Sequence, residues 1–202
     1  MKPTAAVLAA MAIASVSMPG ASQAQLVASG LPCDYLVSGV SILSMFNPDA
    51  AACAGAFSGN DAQQTSAVLG YISTSWGMSG ATYLGKTDAG QTSGPFSSVP
   101  GGNSGTLVFD SPLSGDYVLV LKSSTSFSLY LFRNLVNQSQ IYFVTNGTSL
   151  NRRGIAQGLS HASLYQGRTV SVPEPESMAL LATGVAGLLV VGARRRKDGN
   201  SI

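Results

Sequence analysis

Thr106-Leu107-Val108-Phe109-Asp110, Asp116-Tyr117-Val118-Leu119-Val120-Leu121-Lys122 and Ser126-Phe127-Ser128-Leu129-Tyr130-Leu131-Phe132 follow one another with short polar breaks between them. Leu107 and Phe109 fall on one face of the first run, and Tyr117, Leu119 and Leu121 on one face of the second. In the third, Phe127, Leu129 and Leu131 alternate with Ser128, Tyr130 and Phe132. A two-residue period belongs to a β-strand, whose successive side chains point to opposite faces. Pro112, Ser114 and Gly115 predict a turn after the first run, and Ser123-Ser124-Thr125 a second turn. The stretch therefore reads as an antiparallel meander.

Outward from it, further strands are expected at Tyr35–Ile42, Ala81–Lys86, Gln140–Thr145 and Ala162–Tyr165, joined by segments rich in Gly, Ser, Thr and Asn. One segment departs from the pattern. Asn60-Asp61 is suited to cap a helix running to about Ser75, with Val68, Leu69, Ile72 and Trp76 near one face. Trp76, the single tryptophan, is read as a core anchor, with a sugar-stacking platform as the alternative. Asp88–Asn103 reads as a long surface loop. The expected fold class is mainly β: an antiparallel β-sandwich-like domain with one short helix.

The two ends of the chain speak about delivery. Met1-Lys2 is a short positive region, Ala5–Val16 an apolar core, and Met18-Pro19-Gly20 breaks it. Ser22-Gln23-Ala24 then places small residues at the positions a signal peptidase reads, so residues 1–24 are expected to be a signal peptide and Gln25 the first mature residue. At the other end Val172-Pro173-Glu174-Pro175-Glu176 precedes Ser177–Ala193, 17 residues without charge, and then Arg194-Arg195-Arg196-Lys197. As a helix the apolar run would be roughly 25 Å long, at the short limit for the ~30 Å hydrocarbon layer. A buried core helix is the alternative. The basic cluster next to it fits a cytoplasmic stop, which puts everything before Ser177 outside. The chain thus divides into residues 1–24, an exported domain over 25–171, a sorting signal over 172–197 with its transmembrane helix at 177–193 and basic cluster at 194–197, and a tail over 198–202.

The exported part balances six basic residues (Lys86, Lys122, Arg133, Arg152, Arg153, Arg168) against six acidic ones (Asp34, Asp49, Asp61, Asp88, Asp110, Asp116). The whole chain's net charge of +2 therefore comes from its ends. Nucleic-acid binding requires a concentrated positive face and is disfavoured. Cys33 and Cys53 are the only cysteines, and in an oxidising compartment an even count reads as one disulfide. A closed loop of about 20 residues would add on the order of 3 kcal/mol of stability. A metal site or reactive thiol pair fits poorly, since the spacing is wide and no histidine is near.

The tail resembles the sorting signal of the PEP-CTERM family, bacterial exported proteins processed by exosortase. The resemblance rests on Val172-Pro173-Glu174-Pro175, on Ala179-Leu180-Leu181 and Gly187-Leu188-Leu189 within a short apolar run, and on Arg194–Lys197. It covers about 30 residues. It implies recognition by a membrane-embedded, cysteine-protease-like sorting enzyme, cleavage near the motif, and release or transfer of the outer domain. It also implies a Gram-negative host making an exopolysaccharide and a place at the cell surface or in the matrix. Physically, Pro173 and Pro175 fix φ and remove backbone donors, holding an extended handle for an enzyme groove, with Glu174 as a register charge. The body is similar to small β-rich cargo domains found upstream of such tails, through Cys53–Asp61 and the Ser111–Leu131 meander.

Catalytic chemistry is poorly represented. His161 is the sole histidine, so a Ser/His/Asp triad would need it as base, yet no Gly-x-Ser-x-Gly elbow occurs. Asp110 and Asp116 flank the predicted turn, where aspartate usually bonds its own backbone rather than forming a glycosidase pair. No EF-hand loop, zinc spacing or phosphate-binding glycine loop appears, so no catalytic residue, metal or cofactor is expected and the protein is read as not an enzyme. The expected partners are signal peptidase, exosortase, the membrane before processing, and exopolysaccharide. The leading reading is an exported surface or matrix protein associated with exopolysaccharide or biofilm. A carbohydrate-binding module is the alternative, supported if Trp76, or Tyr71, Tyr83 and Tyr130, line one exposed face. A secreted hydrolase comes third, favoured only if a serine and an aspartate converge on His161.

Overall fold

The computed structural model describes residues 25–88, 90–98 and 100–167. The signal peptide expected over 1–24, the sorting motif at 172–175, the membrane helix at 177–193 and the basic cluster at 194–197 lie outside those residues. Among the described residues no helix is long and apolar enough to cross a membrane.

In chain order the elements are β1 (Leu36–Val37), β2 (Val40–Ser41), a 3₁₀ turn (Ile42–Met45), β3 (Ala52–Ser58), a second 3₁₀ turn (Asp61–Gln63), α1 (Thr65–Trp76), β4 (Thr82–Asp88), β5 (Gln91–Thr92), β6 (Ser104–Ser123), β7 (Ser126–Val144) and β8 (Leu159–Gly167). Six strands form one antiparallel sheet in the order β3-β7-β6-β8-β4-β5. The mainly-β, antiparallel character is as expected, as is one α-helix among the described residues.

Sequence logic explains the centre of the sheet. Val118–Leu121 and Leu129–Phe132 are apolar at every position, so both faces of these strands demand cover. Tyr117, Leu119, Leu121, Tyr130 and Phe132 enter one core with Ala162 and Leu164. Val118, Val120, Phe127, Leu129 and Leu131 enter the other with Val68 and Ile72 of α1, so the helix is the lid of that face. The helix ends where Gly77 takes a left-handed conformation (φ 68°), at no steric cost to a residue without a Cβ, and Met78 then drops into the core.

The supposed turn at 111–115 is instead an elbow inside one long strand. β6 stays paired with β7 through it, with irregular register at Val108, Leu113, Gly115 and Tyr117. Gly115, Asn134 and Asn137 adopt positive φ there, and the Asn137 N–H donates to Ser114 Oγ at 3.0 Å. Pro, Ser and Gly are turn residues, but the same conformational freedom builds bulges that bend a ribbon sharply. The consequence is large. A straight ribbon of this length would span about 60 Å, yet its two ends share one acceptor: the Gln157 carbonyl receives the Ser123 hydroxyl at 2.9 Å and the Thr145 hydroxyl at 2.6 Å. The β6–β7 ribbon is doubled over, and Leu107, Phe109, Ile141 and Phe143 of its outer arm share a core with Leu119 and Tyr130 of the inner one. Where the sequence led to a sandwich-like domain, the two arms of one folded sheet instead pack on each other.

Two smaller expectations are corrected. Tyr35–Ile42 is not a strand but a tight hairpin, turning at Ser38-Gly39, followed by a 3₁₀ turn. Asp88–Asn103 is not wholly surface loop: Gln91–Thr92 pairs with β4, and Phe96 is buried against Phe109 at 5.6 Å.

Sheet edges are covered. Cys33 and Cys53 form a disulfide, which ties the leading segment to β3. Val27–Leu31 lies along the open side of β3, bonding Ala56 and Ser58 through the backbone. At the opposite edge the strand is only two residues long. Both devices blunt edge-to-edge association.

Candidate functional site

Three places concentrate polar or aromatic chemistry. The first is a buried cluster at one end of the helix-covered face. Asn60 caps the 3₁₀ turn, its side chain accepting from the Ala62 N–H at 3.1 Å, and this aims Asp61 inward until no part of it is exposed. β8 alternation places His161, Ser163 and Tyr165 on the same face. One Asp61 oxygen stands 2.7 Å from His161 Nε2, and the other accepts from the Ser163 hydroxyl at 2.7 Å. An ionised carboxylate only accepts, so in that state Nε2 carries the proton.

Lys122 sits beside His161 across the β6–β8 ladder, largely buried, with its ammonium donating to the Ser124 carbonyl. Burial pushes its pKa down, against the opposing pull of the Asp61 charge. The order is thus Ser–Asp–His. A hydrolytic triad needs Ser–His–Asp, with the imidazole between hydroxyl and carboxylate. Among the described residues no hydroxyl hydrogen-bonds the imidazole. Nor do three His, Cys, Asp or Glu side chains gather there as a metal site.

Asp110 and Asp116 do not form a carboxylate pair either. Asp110 is exposed, whereas Asp116 is buried and receives Arg133 Nη1 at 2.8 Å and the Asn134 N–H at 2.8 Å. Arg133 Nη2 also donates to the Trp76 carbonyl at 3.0 Å, supplying a cation to a helix C-terminus whose last turn has none.

The second place is a cleft of about 400 Å³ between Gln25-Leu26 and α1, lined by Ala67, Gly70, Tyr71, Thr74 and Ser75. Positions 67, 70, 71, 74 and 75 are one helical stripe. Tyr71 is half-buried and braced edge-on by Phe57 at 5.7 Å and Trp76 at 5.5 Å. The third is a cleft of about 480 Å³ with hydroxyls from Ser29, Ser58, Thr125, Ser126, Thr148 and Ser149 and, among the described residues, no aromatic ring in its lining. The flat tyrosine face considered from the sequence does not assemble. Tyr130 is fully buried in the core opposite α1, and Tyr83, partly exposed, packs on Tyr165.

Tyr130 and Tyr165 carry a pH dependence. Burial pushes both phenols above the ordinary 10.0, and the Asp61 charge pushes Tyr165 further the same way. The folded state retains protons that the unfolded chain releases near pH 10. Stability is therefore full below about pH 10 and falls above it, by about 1.4 kcal/mol per pH unit for each group. In an alkaline titration two of the seven tyrosines should ionise only as circular dichroism reports unfolding. Ionisation of all seven while the fold persists would contradict this.

The family model of the PEP-CTERM protein-sorting motif matches residues 171–197. The match begins four residues past the end of β8 and holds every residue named for the sorting signal, so the chain carries a PEP-CTERM motif. No curated protein and no solved structure matches the chain. The motif marks an exported protein sorted by exosortase, transiently membrane-anchored on its way to the cell surface.

Proposed function

We propose that the domain over residues 25–171 is a non-enzymatic surface or matrix protein, delivered by its tail to a layer of exopolysaccharide or biofilm. Export begins with signal peptidase cleavage after Ala24 and ends with exosortase processing near Val172-Pro173-Glu174-Pro175. The observation that carries the reading is the sorting motif at 171–197, which follows the last strand almost directly. The polar groups best suited to catalysis support it. Asp61 engages both His161 and Ser163, so each is committed to an interior bond rather than presented to a substrate.

Replacement of Pro173, Glu174 and Pro175 by alanine tests the delivery. The variant should stay in the membrane fraction at full length, while the unaltered chain yields a shorter, released product. Equal processing and release of both would defeat the proposal.

A further inference from the structure

We infer that the cleft beside α1 is a binding subsite for a neutral sugar unit, with Tyr71 as its stacking platform. This deepens the reading of the domain as a polysaccharide-facing protein and rests on it. Four observations converge. First, the described lining side chains (Gln25, Leu26, Ala67, Tyr71, Thr74, Ser75) include no charge, which suits a ligand with hydroxyls but no acid groups. Second, they combine one aromatic ring with amide and hydroxyl groups, matching a pyranose that shows a C–H face and a hydroxyl rim. Third, the Tyr71 ring is held from two sides by Phe57 and Trp76, so little freedom is lost when a ligand stacks on it.

The fourth is Gly70. A glycine inside a helix is less favourable than alanine by about 1 kcal/mol, and nothing terminates α1 at this point. Yet Gly70 lies on the helical stripe that lines the cleft, so a side chain added there would thicken the cleft wall. Thr74 Oγ1 donates to the Gly70 carbonyl at 2.9 Å, which leaves its lone pairs free to accept a sugar hydroxyl.

Trp76 is the only tryptophan and meets Tyr71 edge-on, so its emission reports on the site. The experiment takes the processed protein from cells expressing the full chain and titrates it with cellohexaose, maltohexaose and mannohexaose, with a polygalacturonate fragment as charged control. At least one neutral probe should give a saturable change in Trp76 emission, and the charged probe none. Tyr71→Ala and Gly70→Leu should each weaken that binding at least tenfold. Gly70→Ala should weaken it severalfold while leaving the melting temperature unchanged or raised, which separates ligand space from folding. Ser149→Ala, in the ring-free cleft, should change nothing.

Binding that survives Tyr71→Ala and Gly70→Ala overturns the site while the surface reading stands. Loss on Ser149→Ala moves the site to the other cleft and overturns this one. Silence of every neutral probe overturns the inference. Whether the protein then still fractionates with cell-surface polysaccharide tells separately whether the broader reading has fallen too.

Discussion

Asp61→Ala should destabilise the domain by about 3–5 kcal/mol, the range for breaking a buried charge network from one side. The Asp61 side chain is fully buried and is the hydrogen-bond partner of both His161 and Ser163. Its loss leaves a buried imidazole N–H and a buried hydroxyl without their acceptor, each costing about 1–3 kcal/mol. It also removes the negative charge that favours the ammonium of nearby Lys122. Because folded domains are stable by only about 5–15 kcal/mol, the variant should unfold at a far lower urea concentration. Asp61→Asn keeps the shape and one acceptor, so its loss should be about half as large. Equilibrium urea denaturation followed by Trp76 fluorescence measures both. A change below about 1 kcal/mol for Asp61→Ala would mean that the cluster is not the structural clamp described.

The doubled ribbon supplies the other large effect. Tyr130 projects from the inner arm of β7 into the space between the arms. Its ring centroid is 4.4 Å from that of Phe46, and its hydroxyl lies 3.5 Å from the Thr148 hydroxyl beyond the outer arm. Tyr130→Ala removes a fully buried aromatic ring and should cost about 3–5 kcal/mol. Tyr130→Phe, which keeps the ring and loses one long hydrogen bond, should cost about 1 kcal/mol or less. The contrast between the pair is the informative measurement. Similar costs for both would place the stabilisation in the hydroxyl rather than in the packing of one arm on the other.

What could be read from the sequence was what local pattern controls. Alternation in Tyr117–Leu121 and Phe127–Leu131 located the central strands, because each residue there packs against a neighbour only a ladder rung away. The helix and its apolar positions Val68 and Ile72 were legible for the same reason. The elbow at Pro112–Gly115 was misread because residues that tolerate a chain reversal also tolerate a bulge, and only the partner strand decides between them. Phe96 stood alone in a Gly- and Ser-rich segment, so no period announced its burial. The Asp61–His161 contact spans 100 positions. The only hint of it was an acidic residue following Asn60, whose side chain caps the 3₁₀ turn rather than α1, together with a single histidine, and neither points to the other. The sorting motif was legible because such a signal is recognised as linear sequence.

One property of β8 bears on how this molecule is held. The chain leaves the described domain at Gly167, from a strand with β6 on one flank and β4 on the other. A pull applied at Gly167 along that strand's axis loads both of its ladders. Rungs from Asp116–Gly167 to Ser123–Leu159 on one side, and from Thr82–Gln166 to Lys86–Ser163 on the other, then resist in shear together instead of peeling singly. A cargo anchored through its tail would thus hang by a strand stitched on both flanks.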